Sequence, residues 1–171
     1  MATLKEHRAH KDMLFGGSRQ SPLTPAQQQH FKGLNYFDEN PALRIVTPLE
    51  KHAKAERVVM QTSTGHVAEF FKYGFVRFVV NSQSQTLQVY KSSEHDDLFL
   101  PFMDETTGQE TYGSGRYLDV HERSDGMIEL DFNLSYNPYC AYNSQWTCPI
   151  PPRENRLTVK IEAGEQTFHE T

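Results

Sequence analysis

The chain has 171 residues, with 17 Lys and Arg against 22 Asp and Glu, 37% hydrophobic residues and a mean hydropathy of −0.67. That is the composition of one soluble domain with polar margins, long enough to build a core without metal or disulfide staples. A net charge of −5 argues against a nucleic-acid surface spread over the whole molecule, no apolar run approaches the roughly 18 residues of a membrane span, and the charged stretch from Met1 to Met13 lacks the apolar segment of a signal peptide, so a cytoplasmic protein is expected.

Thr3 to Phe15 is rich in helix formers and free of proline, but its apolar residues (Leu4, Met13, Leu14, Phe15) do not recur at helical spacing; the segment reads as a polar helix with an apolar anchor, broken by Gly16-Gly17-Ser18. Thr24-Pro25-Ala26-Gln27 is a helix start, with Thr24 as N-cap, Pro25 at the first helical position and Gln27 completing a capping box. Gly33 is the expected stop. Residues 1–35 carry Lys5, Arg8, Lys11, Arg19 and Lys32 against Glu6 and Asp12, a net +3 that leaves −8 on the remainder. This basic arm, 1–35, is expected to pack on the acidic body, 36–171, of the same domain, since it lacks the Arg/aromatic interleaving of a nucleic-acid binder.

From Ala42 the pattern changes to β-branched and aromatic segments separated by turn residues. Strands are expected at Arg44–Leu49, Arg57–Thr62, His66–Tyr73, Phe75–Val80, Thr86–Lys91, Arg116–His121, Met127–Phe132 and Leu157–Ala163, with Ser-Thr-Gly, Asn-Ser-Gln-Ser and Ser-Asp-Gly as connectors. Eight or nine short antiparallel strands predict a mainly β fold: an antiparallel β-barrel or curled sandwich with two short N-terminal helices over one opening.

Candidate chemistry concentrates between Asp104 and Asn155, where irregular, loop-rich sequence is expected to form a polar site on the β scaffold. Tyr112-Gly113-Ser114-Gly115-Arg116-Tyr117 sets two glycines before a strand, unlike a phosphate loop or dinucleotide fingerprint. Arg116 beside Tyr112 and Tyr117 suits a bidentate grip on a small anionic ligand; the alternative is a structural ion pair to Asp119, Asp131 or Glu154. Asp131, Asn133, Asn137, Cys140, Glu154 and Asn155 are candidates to line the same pocket, or else satisfy their own backbone. No catalytic residue is singled out. Cys140 and Cys148, eight apart, permit a disulfide, inert buried thiols, part of a metal site, or a nucleophile served by His66, His95, His121 or His169. No C-x-x-C or H-x-x-x-H spacing supports a metal, and neither metal nor cofactor is expected. His7 and His10 lie one helical turn apart and read as a solvated face.

These blocks resemble a bacterial and archaeal family known as domain-of-unknown-function family 1684. Its members carry T-Y-G-G-G-R-Y-L-D, D-F-N, Y-N-P-P-C-A-Y and C-P-x-P-P-x-E-N. Here these correspond to Thr111–Asp119, Asp131–Asn133, Tyr136–Tyr142 and Cys148–Asn155, and the likeness extends upstream through Ser21-Pro22-Leu23, Phe31–Phe37 and Leu98–Phe102. Ser114 stands where the family has its middle glycine, and Tyr139 where it has the second proline. The resemblance implies membership and no mechanism. Three expectations therefore stand together: a binder of a small anionic molecule without nucleic-acid or membrane partners, a hydrolase or transferase using Cys140 or a loop carboxylate such as Asp131 or Glu154, and an interaction module.

Overall fold

The structure, a computed structural model, describes residues 2–94 and 96–169. Helix α1 (Leu4–Gly17) begins with Thr3, whose hydroxyl accepts from the Glu6 amide while the Glu6 carboxylate accepts from the Thr3 amide. Thr24 and Gln27 form the same reciprocal cap on α2 (Pro25–His30), with Pro25 in the first turn as the spacing predicts. The helix stops at His30, ahead of Gly33. Phe15, Leu23 and Tyr142 make a small apolar cluster with Phe31, Leu34 and Phe168, so residues from both ends of the sequence fasten the helical arm to the β body.

Seven strands follow among the described residues: β1 (Arg44–Pro48), β2 (Glu50–Gln61), β3 (Val67–Val80), β4 (Gln83–Ser92), β5 (Leu98–Phe102), β6 (Arg116–Val120) and β7 (Met127–Asp131). All neighbours are antiparallel, in a five-stranded sheet ordered β2-β3-β4-β5-β6 and a separate β1-β7 pair. The sheets do not close, so the curled-sandwich form of the expectation holds and the barrel does not. One apolar core spans both, with Leu43, Ile128 and Leu130 on one side and Val76, Leu87, Leu100 and Leu118 on the other.

Three strand assignments change. The segments expected at His66–Tyr73 and Phe75–Val80 are one 14-residue strand; the register with β4 slips by one residue at Tyr73, and at the adjoining Gly74 a Cβ would lie 2.6 Å from the Glu50 carbonyl oxygen, so the missing side chain lets two backbones approach rather than turning the chain. Leu98–Phe102 is a strand, although Leu-Phe-Leu-Pro-Phe has no alternation: four of its five residues are buried. Leu157–Ala163 is not a strand. Its side chains alternate inward and outward as expected, but many of its backbone groups bond side chains: the Thr158 amide donates to Gln85 Oε1, the Ile161 amide to Asp104 Oδ2, and the Ile161 and Ala163 carbonyls accept from Arg116.

Candidate functional site

Arg116 is the largest fully buried side chain, 1% exposed. Its Nη1 donates to the carbonyls of Ala163 (2.5 Å) and Glu165 (3.1 Å), its Nη2 to that of Ile161 (2.9 Å), and the Asp104 carboxylate lies 3.6 Å away. Burial draws the guanidinium down to about 10, against the opposing pull of Asp104 and Glu165, so it stays cationic at neutral pH. The two terminal nitrogens of the fork that sequence reasoning offered to a ligand are thus taken by the protein's own chain, Nε has no hydrogen-bond partner among the described residues, and the ion-pair partner is Asp104 rather than Asp119, Asp131 or Glu154.

The other expected site residues divide by location. Gly115 has φ +89 and lies where a Cβ would meet the Phe102 carbonyl oxygen at 2.6 Å, whereas a Cβ on Gly113 would meet nothing nearer than Gly108 Cα at 4.0 Å. The bare backbone is needed at 115, which explains how Ser114 can replace a glycine. Asn155 donates from Nδ2 to the Gln88 and Pro101 carbonyls and accepts from the Gln88 amide, locking β4 to β5. Its neighbour Glu154 binds the Tyr90 hydroxyl and Lys72, and the latter contact and Tyr90 hold the carboxyl below the usual range against the cost of burial. Asp131 pairs with Arg44 and accepts from the Asn133 amide. Tyr117 and Asn133 line a cavity; Asn137 touches its wall through its amide bond to Glu165. Tyr112 and Cys140 lie together, apart from Arg116's hydrogen-bond partners.

That cavity, of about 750 Å³, lies between α1 and the loops that follow β6 and β7. Leu4, Arg8, Lys11 and Phe15 recur at helical spacing along the inner face of α1, all partly or fully buried. Aliphatic stems of the two basic residues take positions that apolar side chains usually occupy. His7 and His10 lie at the rim, more exposed; burial lowers His7 below the ordinary histidine range, so it is neutral at pH 7. Opposite the helix the wall is aromatic: Tyr36, Tyr117, Tyr136, Tyr139 and Trp146.

The polar groups of this wall are unevenly satisfied. Glu165, 1% exposed, accepts from Lys11, the Tyr142 hydroxyl and the Asn137 amide. Asp119 accepts the Tyr136 hydroxyl at 2.7 Å. By contrast, Arg8 Nε and Nη2, the Tyr36 hydroxyl and the Ser135 hydroxyl are shielded from solvent and have no hydrogen-bond partner among the described residues. The Arg8 guanidinium lies 4.3 Å from the Tyr36 ring centroid, a contact that orients it but accepts none of its protons. Sequence reasoning missed Arg8; the signal was its place in the Leu4-Arg8-Lys11-Phe15 series. A smaller cavity of about 590 Å³ beside α2 has none of these unpaired atoms in its wall.

The thiols meet at the edge of this wall. Residues 148–150 bond along the end of β2: the Ile150 amide donates to the Gln61 carbonyl, the Ser63 amide to the Cys148 carbonyl, and the Cys148 amide to Ser63 Oγ. The short 3-10 turn Tyr139–Ala141 brings Cys140 against this segment, so that its amide donates to Cys148 Sγ at 3.3 Å. The Tyr112 hydroxyl lies 3.6 Å from Cys140 Sγ, and burial raises that hydroxyl to about 12. A hydrogen bond from the Cys148 thiol draws Cys140 down to about 6 against the cost of burial, with help from the Tyr112 and Ser63 hydroxyls, while sharing its proton with Cys140 pushes Cys148 up. Both cysteines are free thiols. No group of three or more His, Cys, Asp or Glu suited to a metal occurs among the described residues. Among the described residues, none of His66, His121 and His169 hydrogen-bonds either thiol, and His95 lies outside those residues.

No helix is long and apolar enough to cross a membrane among the described residues. A search of curated proteins returns no match. An uncharacterised protein of Haloarcula marismortui, solved by NMR in solution, is similar at 37% identity and a TM-score of 0.75, over 98% of this chain and 94% of that one. The family model described as "Protein of unknown function (DUF1684)" matches residues 29–166, a span that holds every motif block from Thr111 to Asn155, and the chain belongs to that family.

Proposed function

We propose that the protein binds a small molecule with an anionic group and a flat apolar body, held in the cavity between α1 and the aromatic wall. The observation that carries this reading is the partly buried Arg8, whose guanidinium Nε and Nη2 are shielded from solvent and unpaired, with no carboxylate within ion-pair distance among the described residues. Cationic N–H donors shielded from water without an acceptor are costly. A carboxylate, sulfonate or phosphate oxygen placed beside it removes that cost, and the unpaired Tyr36 and Ser135 hydroxyls supply further donors. The five aromatic rings favour a planar body next to that anion. Arg8 thereby takes the role first expected of Arg116, with Tyr117 and Asn133 kept in the wall.

Anilinonaphthalene sulfonate has this chemistry and serves as the probe. It is expected to bind folded protein at one site, with rising fluorescence, and the Arg8→Gln variant to bind about 10- to 100-fold more weakly, the equivalent of one charge-assisted hydrogen bond of about 1.5–3 kcal/mol. Arg19→Gln, on the exposed segment after α1, serves as the control. Equal affinity in the wild type and Arg8→Gln, with both folded by circular dichroism, would refute the proposal.

A further inference from the structure

We propose that Cys140 and Cys148 form a hydroperoxide-reactive dithiol, with Cys140 as the attacking sulfur and Cys148 as the resolving one. Two pieces of backbone register make the pair. Residues 148–150 are held to the end of β2, and the turn at Tyr139–Ala141 aims the Cys140 amide at Cys148 Sγ, 3.3 Å away. A sulfur within hydrogen-bond distance of its partner's own amide is within reach of that partner's sulfur with little backbone movement. The two differ in access: Cys148 is 7% exposed, whereas Cys140 is only partly buried. They differ also in surroundings, because Cys140 receives the Tyr112 hydroxyl. The attacking sulfur is therefore the accessible one with donors around it, and the resolving sulfur is protected until the first has reacted.

Cys140 thiolate attacks one oxygen of the hydroperoxide; an S–O bond forms, the O–O bond breaks, and the leaving hydroxide or alkoxide takes a proton to depart as water or alcohol. Cys148, deprotonated, then attacks the Cys140 sulfenic sulfur, expelling hydroxide that leaves as water. With hydrogen peroxide, two thiols and one peroxide give one disulfide and two waters. An external thiol or dithiol returns the pair to its reduced state by exchange. Cys148 also borders the ligand cavity, but the attacking sulfur, Cys140, is not among its lining residues, and the test does not depend on that ligand.

Reduced wild-type protein is treated with hydrogen peroxide and its intact mass measured under denaturing conditions. The expected product is a monomer two hydrogens lighter, with Cys140 and Cys148 joined in the non-reduced digest. In Cys148→Ser, dimedone is expected to trap a sulfenic acid on Cys140, and in Cys140→Ser to leave Cys148 unmodified. A thiol near 6 is half ionised at pH 6, where an ordinary one near 8.5 is about 0.3% ionised; after the roughly 13-fold lower nucleophilicity of the weaker base, Cys140 is expected to react about 10-fold faster than an ordinary cysteine at that pH. Retention of both thiols, a disulfide between chains, or preferential trapping on Cys148 would overturn the proposal. Wild-type protein alone gives a second reading, free of any folding defect in the variants. Iodoacetamide should label Cys140 ahead of Cys148, with the rate half-maximal near pH 6, and equal inertness of the two thiols sinks the idea.

Discussion

Replacing Arg116 with Met separates a structural arginine from a ligand-binding one. In the native fold the guanidinium satisfies three carbonyls of the segment from Ile161 to Glu165 and faces Asp104, itself 1% exposed. Methionine has similar bulk and no donors, so the core keeps most of its volume while the carbonyls and the carboxylate lose their partner. Removing one member of a buried ion pair costs about 3–5 kcal/mol, because the other charge is left unpaired. At about 2–4 °C per kcal/mol for a chain of this size, the melting midpoint should fall by about 6–20 °C. Urea unfolding followed by circular dichroism measures the free energy, and Asp104→Asn combined with Arg116→Met should cost less than the sum of the single changes, since the two residues share one network. Hydrogen exchange adds a local readout: the Ile161 amide, bonded to Asp104 at 2.6 Å, should lose protection first. A wild-type midpoint in Arg116→Met would refute this account of how the C-terminal segment is held, and loss of probe binding in that stable variant would restore Arg116 as a ligand residue.

Gly115→Ala should destabilise by about 1–3 kcal/mol in urea, since it adds a Cβ at positive φ and 2.6 Å from a carbonyl oxygen; Gly113→Ala, with room around it, should fall within about 0.5 kcal/mol of wild type, and equal effects would dismiss the distinction. Asn155→Ala removes three bonds between the last 3-10 turn and β4 and β5, so a loss of about 2–4 kcal/mol is expected from the unpaired backbone groups left behind; a change under about 1 kcal/mol would show that water replaces the amide. The thiols set a pH dependence with a definite sign. Cys140 is lowered in the fold to about 6, so the stability it contributes is present above its unfolded value near 8.5 and fades as pH falls through 6; Cys148 is raised, so stability fades again as pH rises above its unfolded value. Reduced wild-type protein should therefore show a stability maximum near pH 8–9 that Cys140→Ser lacks, and superimposable pH profiles for the two proteins would dismiss the coupling.

Local signals were legible and partner-dependent ones were not. Thr24-Pro25-Ala26-Gln27 announces α2 because its cap is made within four residues, and the Asn-Ser-Gln-Ser connector marks the β3–β4 hairpin, though only Asn81 and Ser82, both at positive φ, form the turn and Gln83 and Ser84 already belong to β4. Gly74 misled for the opposite reason: its purpose, the approach of β2 to β3, lies in another strand. Strand β5 went unread because a strand covered on both faces has no alternation, and its Pro101 sits where the neighbouring strands need no amide from it; the Pro101 carbonyl is taken by Asn155 instead. Two free thiols eight residues apart left several chemistries open, and only the fold shows that the intervening segment doubles back to bring them together.

The same cause hid the candidate site. Sequence patterning sorts arginines outward, so one in a β motif looks available and one on a polar helix looks solvated. Both inferences reverse here, because the accessibility of a guanidinium depends on which carbonyls and carboxylates its neighbours leave unused. Between Leu157 and Ala163 the side chains follow a strand's alternation, but the carbonyls of Ile161 and Ala163 have no strand beside them, and Arg116 fills that deficit from inside the core. On α1 the deficit runs the other way. Lys11 takes up Glu165, and Tyr136 takes up Asp119, leaving Arg8 shielded and short of acceptors. An unmet acceptor demand in a cavity with an aromatic wall is the physical content of the binding proposal. A like charge in the same wall is its sharpest test: a Ser135→Asp variant, placing a carboxylate among the lining residues, should weaken binding of the sulfonate probe. An unchanged probe affinity in that variant would mean that the anion sits elsewhere.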